Sequence, residues 1–526
     1  FSDWSSDVCS SDLILEVSLA LLAGWLLSYL IPCKDTLYTI YSSIFKGVTR
    51  ATGIHGMIQK EIKKATTSMG EELKMKEFED NTVIPEAGYS KEQVLDKLNK
   101  FFEHDKEHLK TRHVSGSFYC GSEERLSVIG EATKMFVLAN PLHADNCKSV
   151  RKMEAEVIRM TANLLHGNSE VRGLMTTGGT ESIILAVRAH YQNAIKNKGF
   201  DPLKCELIMC DNGHPAWLKG CELMHIKPVM IPMDKRNALD FTEVKKRINK
   251  NTILVVCSAP SYPHGVIDDI PTIASYCKSV GVPVHVDACL GGFVEAWGKD
   301  AGFNVPPFDF SVDGVESISC DTHKYGYAPK GSSVLVLTSE ELRNLIFFRF
   351  PKWMGGVYCS PSIPGSRAGS AIAGAWASLM YTGKQGYINA TRGIFTTSRY
   401  IKTELSKLPN IKILTDMDQD SPVVAFTTTD LNIYKVSDCM NKEFKWEFNA
   451  LQSPAAVHFC VTEKTIGCEK QFMEDIKKAM EIIRKDPNNP KYNVWAPVYG
   501  MTSSLPDIST LEDMVAQVIA AYCDVI

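Results

Sequence analysis

The stretch SCDTHKYG at residues 319–326 has the pattern of a buried strand that ends in a polar turn carrying Lys324. Upstream, a second apolar run ends at Asp287. Pyridoxal phosphate chemistry uses a lysine that condenses with the cofactor aldehyde and an aspartate that pairs with the pyridine nitrogen. For Lys324 taken alone, a surface lysine after a strand is an equally good interpretation. Because the amine must be neutral to attack, we expect a nearby cation and partial burial to lower its pKa.

Further apolar runs surround this stretch and alternate with helical patterns between residues 174 and 337. Continuous apolar strands spaced by helices are typical of a mostly parallel sheet that is covered on both faces. Ligands of such sheets bind beyond the carboxyl ends of the strands, where we expect Asp287, His214, Tyr262 and Lys324. The apolar runs are residues 207–210, 253–257, 284–286 and 334–337.

A pair of glycines in TTGGTES, residues 176–182, precedes a helical pattern. Glycines at a helix start expose backbone N–H groups, and the helix dipole adds positive potential, so Gly179 and Thr180 are candidates for binding a phosphate. A plain capped turn is at least as common an explanation of this pattern. His214 could stack on a pyridine ring, and His323 and Lys330 could contact a phosphate; a loop residue without such a role is the alternative for each.

The bulk composition excludes several classes of function. The chain has 526 residues, 44% of them hydrophobic, which is enough for two or three domains. Its net charge of -4, with both signs interspersed, offers no footprint for nucleic acid. The 16 cysteines form no CxxC pairs, so we predict no zinc site and no other metal site, and their place in apolar runs predicts reduced thiols in the cytosol.

We divide the chain into four segments. Residues 1–50 comprise a non-periodic start, for which we predict no native structure, and an apolar stretch at 13–31 that we interpret as a single transmembrane anchor. A signal-peptide core and a buried helix are alternatives. Basic residues follow the stretch, which predicts that the bulk of the protein is cytosolic. Residues 51–145 read as an N-terminal arm, 146–387 as a large cofactor-binding domain and 388–526 as a smaller α/β domain.

The chain resembles the group II pyridoxal phosphate-dependent decarboxylase family from about residue 84 to its end. The lysine motif is shared by the amino-acid decarboxylases of that family, whereas NPLH, PHGVID and HVDACLGGF point more narrowly to its lyases of phosphorylated sphingoid bases. The matching stretches are NPLH at 140–143, TGGTES at 177–182, CSAPSYPHG at 257–265, HVDACLGG at 285–292, DTHKYG at 321–326, GGVY at 355–358 and GSR at 365–367.

The resemblance implies the fold of fold type I, aspartate aminotransferase-like transferases, with a large domain, a small C-terminal α/β domain and a preceding membrane helix. It also implies a role for each matching residue. Lys324 would bind the cofactor aldehyde, Asp287 the pyridine nitrogen and His214 the ring face. The cofactor phosphate would be held by Gly179, Thr180 and His323, and by Gly365 and Ser366 from the partner subunit. The protein would therefore be a homodimer with shared active sites.

The implied substrate site surrounds a phosphate and the reacting carbons. The residues that would form it are Tyr119, Asn140, His143, Lys330 and Tyr499, with Tyr262 nearby. The general base remains open between Lys330 and a tyrosine. The implied reaction is retro-aldol cleavage of a phosphorylated sphingoid base, with or without its double bond, to a fatty aldehyde and phosphoethanolamine.

The implied location is the endoplasmic reticulum membrane, with one pass and a cytosolic catalytic domain. Two other functions stay open at this point. A pyridoxal phosphate-dependent amino-acid decarboxylase would share Lys324 and Asp287 but would need a cation for an α-carboxylate. A membrane-tethered scaffold with an inactive fold would require neither residue.

Overall fold

A computed structural model describes residues 74–493 and the helix Ile508–Cys523, together with the single positions 60, 63, 67 and 71. Residues 102–495 form one compact unit, and the two ends of the chain are assigned to another. Among the described residues, no helix combines the length and the apolar character needed to cross a bilayer. The predicted anchor at 13–31 lies outside the described residues.

A seven-stranded sheet forms the core of the unit 102–495. Its strands are β1 (Arg172–Thr176), β2 (Glu206–Cys210), β3 (Lys227–Ile231), β4 (Thr252–Ser258), β5 (Val284–Asp287), β6 (Val315–Cys320) and β7 (Ser333–Leu337). Across the sheet they follow the order β1-β7-β6-β5-β4-β2-β3. The neighbours from β6 to β3 are parallel, and β7 runs antiparallel to both β1 and β6. The prediction of a mostly parallel sheet is therefore confirmed.

Helices alternate with these strands, as the apolar pattern predicted. Every residue of β4 is buried, which is possible only if both faces of the sheet are covered. Three of the helices begin where Asp240, Asp269 or Ser339 accepts a hydrogen bond from a backbone N–H of the first turn. The helices in this part are Gly179–Asn197, Ala216–Met224, Phe241–Arg247, Ile270–Ser279, Gly292–Glu295, Gly298–Ala301 and Glu340–Asn344.

A hairpin and a second sheet follow β7. The hairpin pairs β8 (Phe348–Trp353) with β9 (Gly356–Ser360). The second sheet is antiparallel and consists of β10 (Ile411–Ile413), β11 (Val423–Thr428), β12 (Asn449–Leu451) and β13 (Ala456–Cys460), in the order β10-β11-β13-β12.

The other helices precede the large sheet, or lie before, between and after the strands of the second sheet. The long helix Gly369–Ser406 breaks at Gly383, where φ is +59°, and it passes through the predicted boundary at 387, which stays a prediction. The remaining helices are Lys91–Lys110, Glu123–Met135, Lys148–Leu164, Ile433–Phe444 and Glu469–Lys485, with short 3-10 helices at Glu463–Thr465 and Pro490–Tyr492.

The topology brings the predicted site residues to one edge of the large sheet. β6, β5, β4 and β2 are consecutive neighbours and parallel, so their carboxyl ends meet at the same edge. Asp287 is the last residue of β5, and Lys324 lies in the turn after β6. His214 and Tyr262 follow β2 and β4. In the structure these four residues therefore end or follow neighbouring parallel strands, and their roles stay a prediction.

Candidate active site

The turn that carries Lys324 is held in place by the two residues that follow the lysine, Tyr325 and Gly326. The Tyr325 hydroxyl donates a hydrogen bond to the carbonyl of Val461 at 2.6 Å. Glycine is needed at Gly326, because a Cβ there would lie 2.5 Å from the carbonyl oxygen of Thr322. These contacts hold Lys324 just beyond β6 with its side chain 24% exposed.

Lys324 forms an ion pair with a buried acid three residues earlier. Its Nζ lies 2.7 Å from Oδ2 of Asp321, whose side chain is 2% exposed. Burial by itself lowers the pKa of Lys324, but the attraction of Asp321, together with smaller contributions, outweighs burial and raises that pKa above its ordinary value. Our expectation of a lowered pKa is therefore wrong, because the group in contact with the amine is an anion. We did not predict Asp321, although the Asp-x-x-Lys spacing brings two side chains together on a helical turn.

The helix Gly179–Asn197 begins beside this ion pair. A Cβ at Gly179 would lie 2.8 Å from Asp321 Oδ2, so only glycine fits without a shift. Among the described residues, the backbone N–H groups of Gly179, Thr180 and Glu181 have no hydrogen-bond partner. Three free N–H groups at a helix start form an anion-binding site, which fits the phosphate of pyridoxal phosphate.

His323 borders the same helix start. Its Nδ1 lies 2.6 Å from the carbonyl oxygen of Ser332, so Nδ1–H is the donor, and its Nε2 lies 3.7 Å from Asp321 Oδ2. Burial lowers the pKa of His323, and the charge of Asp321 opposes that effect. A Cβ at Gly178 would lie 3.8 Å from Cε1 of His323. The ring of His323 therefore lies close to Gly178, directly before the free N–H groups, and its contact with a cofactor phosphate stays a prediction.

Asp287 is buried and receives hydrogen bonds on both carboxylate oxygens. Trp217 Nε1–H donates to Oδ2 at 3.0 Å, and the backbone N–H of Cys289 donates to Oδ1 at 3.1 Å. These two hydrogen bonds fix the orientation of the Asp287 carboxyl group. Trp217 was not predicted, because it reaches Asp287 from a helix distant in sequence.

A cavity of about 690 Å³ opens beside the lysine turn. On its wall, the ring of Tyr119 meets the ring of Tyr325 edge-on at 4.9 Å, and Lys330 Nζ lies 5.1 Å from the Tyr119 ring centroid. Burial raises the pKa of Tyr119. Desolvation and the nearby charge of Lys324 lower the pKa of Lys330. This cavity therefore holds a protonated tyrosine and a lysine that gives up its proton more readily than usual.

A second cluster joins two predicted segments of the same chain. Asn140 Nδ2–H donates to Ser366 Oγ at 3.0 Å, and Asn140 Oδ1 accepts the backbone N–H of Arg367 at 3.2 Å. The guanidinium of Arg367 is in turn paired with both carboxylate oxygens of Glu154. The predicted substrate residue Asn140 thus lies against the segment predicted to bind the cofactor phosphate of a partner subunit.

For the other predicted site residues, including Asn140 and Ser366, the structure shows no hydrogen bond to Lys324 among the described residues. His143 and His214 are exposed, and Tyr262, 46% exposed, packs its ring edge-on against His458. Tyr499 lies outside the described residues.

Known proteins are similar to this chain in both sequence and architecture. Residues 75–429 match the family model described as the pyridoxal-dependent decarboxylase conserved domain. A sphingosine-1-phosphate lyase of Dictyostelium discoideum is 36% identical over 524 residues, which cover 99% of this chain and 97% of that protein. The Drosophila melanogaster enzyme of the same name is 39% identical over 482 residues, 89% of this chain and 86% of that protein.

Solved structures agree with these relatives. A sphingosine-1-phosphate lyase of Burkholderia pseudomallei matches with a TM-score of 0.75 and 34% identity, over 82% of this chain and 99% of that one. A glutamate decarboxylase of Lactobacillus brevis matches with a TM-score of 0.65 over 77% of this chain and 96% of that one. Its identity of 19% shows a common fold alone.

Proposed function

This chain belongs to the pyridoxal-dependent decarboxylase family, and from that membership we propose that it is a pyridoxal phosphate-dependent lyase of phosphorylated sphingoid bases. It cleaves the C2–C3 bond of sphingosine 1-phosphate and its dihydro form to a long-chain aldehyde and phosphoethanolamine. One observation carries the proposal: Lys324 and Asp287 lie at the ends of two adjacent strands, in a chain that matches sphingosine-1-phosphate lyases along most of its length.

Pyridoxal phosphate, when bound, supplies an aldehyde that condenses with amines and a ring that withdraws electrons from the bond to be broken. Lys324 is the amine placed for this role, and Asp321, whose Oδ2 lies 2.7 Å from Nζ, holds that amine in position. Asp287 would pair with the ring nitrogen. The free N–H groups of Gly179 and Thr180 would hold the phosphate.

The cavity beside Lys324 is suited to the reacting end of the substrate. Lys330 and Lys464 both line it. The nearby Arg125 is already paired with Glu463 at 2.6 Å, so the two lysines and Arg112, which lines the same cavity, are the cations that can meet a phosphate dianion. Several cations in one cavity suit a phosphate dianion better than an α-carboxylate with its single charge, which favours a lyase over an amino-acid decarboxylase. Relatives that are 39% and 36% identical favour the lyase as well.

Two groups near Lys324, Tyr119 and Lys330, can interact with the C3 hydroxyl of the substrate. Burial raises the pKa of Tyr119, so Tyr119 stays protonated and acts as a hydrogen-bond donor. The pKa of Lys330 is lowered by desolvation and by Lys324, which makes its neutral amine more accessible at working pH. We therefore assign proton removal from the hydroxyl to Lys330.

We also propose a homodimer with shared active sites. In support, Asn140 and Ser366 contact one another and are not joined to the Lys324 cluster in the described chain. The hairpin β8–β9 points to a partner as well, because an isolated two-stranded hairpin is marginally stable in water. Its exposed apolar side chains are Phe348, Phe350, Trp353, Met354 and Val357.

Residues 13–31 are proposed as a single-pass anchor in the endoplasmic reticulum membrane, with the catalytic unit in the cytosol. In support, this stretch has Glu16 as its single charge, and Lys34, Lys46 and Arg50 follow it. The anchor would keep the enzyme near substrates and aldehyde products that partition into lipid. Extraction of the full chain from cell membranes by detergent but not by alkaline carbonate tests this proposal.

A product assay tests the activity itself. We expect the purified chain with pyridoxal phosphate to convert sphingosine 1-phosphate to a long-chain aldehyde and phosphoethanolamine, without carbon dioxide. We also expect a visible absorbance band that is absent in Lys324→Ala. Release of carbon dioxide from amino acids would establish the decarboxylase instead, and a chain that takes up no cofactor would refute both activities.

A further inference from the structure

A row of buried polar side chains runs from Asp287 into the sheet. Ser319 Oγ lies 3.5 Å from Asp287 Oδ1 and 3.1 Å from Nε2 of His285. On the other side of the ring, His285 Nδ1 lies 2.7 Å from Ser317 Oγ, which is 2.8 Å from Nε2 of His190. The two serines and His285 are 0% exposed, and His190 is 1% exposed. The row is therefore continuous and closed to solvent.

Strand pairing produces this row. In the register of β5 with β6, His285 pairs with Ser317 and Asp287 pairs with Ser319. Residues two apart on a strand face the same side of the sheet, so all four side chains lie on one face. His190 completes the row from the helix Gly179–Asn197, which packs on β6.

One arrangement of protons satisfies every contact when Asp287 is ionised. Ser319 O–H must donate to the carboxylate, so its oxygen accepts from Nε2–H of His285. A neutral His285 then has a bare Nδ1, which accepts from the hydroxyl of Ser317, whose oxygen accepts Nε2–H of His190. In this arrangement His190 Nδ1 carries no proton, which agrees with its being buried and having no hydrogen-bond partner in the described part of the chain. Every N–H and O–H in the row points toward Asp287.

We propose that His285, Ser319, Ser317 and His190 are positioning residues, which form a one-way hydrogen-bond relay that fixes Asp287 as a carboxylate directed at the ring nitrogen of the cofactor. This inference rests on the proposed function, because Asp287 has that role only in a pyridoxal phosphate enzyme. Burial keeps both rings neutral: it lowers the pKa of His190 to about 3 and lowers that of His285 well below its usual value. A cationic His285 would instead draw the charge of Asp287 away from the cofactor.

The proton arrangement can be measured without cofactor. In the cofactor-free full chain labelled with ¹⁵N-histidine, we expect His285 and His190 to be neutral Nε2–H tautomers from pH 6 to pH 8. Their resonances are assigned by loss in His285→Gln and His190→Gln. An Nδ1–H tautomer or an imidazolium at His285 would overturn the relay. This outcome does not depend on the reaction, so the relay and the proposed function can fail separately.

The effect on the cofactor is measured with pyridoxal phosphate labelled with ¹⁵N in its ring. Removal of the donor in Ser319→Ala should weaken cofactor binding about tenfold and decrease the protonation of the ring nitrogen, because a hydrogen bond to a charged group is lost. Ser319→Thr, which keeps the hydroxyl, should restore both. Ser398→Ala is the matched control, since Ser398 is a buried serine that donates to the carbonyl of Phe395 within the helix Gly369–Ser406.

His285 provides a second pair of variants. The glutamine amide of His285→Gln can occupy the position of Nε2 and donate to Ser319, whereas the shorter asparagine of His285→Asn cannot. We expect the first variant to keep the ring nitrogen protonated and the second to lose this property. Ser319→Ala or His285→Asn with wild-type cofactor affinity and a protonated ring nitrogen would refute the relay. If the wild-type chain binds no cofactor, the proposed function fails, and the tautomers still decide the relay.

Discussion

Lys324 Nζ lies 2.7 Å from Oδ2 of Asp321, so the amine that must attack the cofactor is held as a charged partner of a buried carboxylate. Among the residues that the structure describes, Oδ1 of the same carboxylate is buried and has no hydrogen-bond partner. The ion pair fixes the direction of the amine, and it also favours the protonated form of that amine.

Asp321→Asn should shift cofactor capture to lower pH. The carboxylate raises the pKa of Lys324, so its removal lowers that pKa and increases the neutral fraction of the amine at any given pH. We expect capture at pH 7.5 to be at least about tenfold faster, which corresponds to a change of one pKa unit. The rate is followed by the absorbance change on mixing the cofactor-free chain with pyridoxal phosphate.

The exposed ion pair of Lys278 with Asp313, at 2.6 Å, provides the control for this experiment. Asp313→Asn should leave the pH profile of capture unchanged. A profile for Asp321→Asn that coincides with that of the wild type would show that the carboxylate does not control the amine.

Lys324→Ala should destabilise the cofactor-free protein by about 3 kcal/mol, because it leaves a buried carboxylate without its partner. The double variant Asp321→Asn/Lys324→Ala should recover most of this loss, although it remains inactive. Urea unfolding followed by fluorescence measures both effects. For comparison, Lys278→Ala removes an exposed pair and should cost less than about 1 kcal/mol. If the double variant were less stable than Lys324→Ala, the carboxylate would not be the cause.

Mixed dimers should show whether Asn140 acts in the partner's site. Lys324→Ala and Asn140→Asp are each expected to be inactive. If Asn140 and Ser366 serve the partner's site, a dimer with one copy of each variant contains one complete site. Random mixing should therefore restore about one quarter of wild-type activity in a twofold-symmetric dimer.

Lys330 provides the control for the mixed dimers, because its side chain contacts Tyr119 in the cluster around Lys324. Mixing Lys330→Met with Lys324→Ala should restore no activity, since both variants damage the same site of their own chain. Lack of recovery with Asn140→Asp as well would place Asn140 in the site of its own subunit.

The large sheet could be predicted because most of its strands are marked by a short apolar run. Continuous apolar runs predicted β2, β4, β5 and β7, since strands buried on both faces leave no polar positions. The end of β5 at Asp287 and the helix start at Gly179 were likewise visible as changes in pattern. Strand β12 of the second sheet was harder to predict, because it is three residues long and too short to form a recognisable apolar run.

The site could be predicted only in part, because several of its contacts join distant parts of the chain. Lys324 and Asp287 were found from sequence patterns. The contact of Trp217 with Asp287 depends on how a helix packs against the sheet, which no local pattern records. Asp321 was missed for a different reason: its spacing from Lys324 was visible, but the direction of the amine depends on burial around the turn.

Lys330→Arg should separate the two roles that Lys330 can have. Arginine keeps the positive charge but remains protonated at any working pH, so it can bind a phosphate and cannot accept a proton. If Lys330 takes the proton of the C3 hydroxyl, the variant should lower kcat by about 100-fold or more and change KM little. The rise of kcat with pH that belongs to the lowered pKa of Lys330 should also disappear.

Lys464→Arg, on the wall of the same cavity, should leave kcat and its pH profile intact. Wild-type kcat in Lys330→Arg would show that this lysine acts through its charge alone and that the proton acceptor is another group.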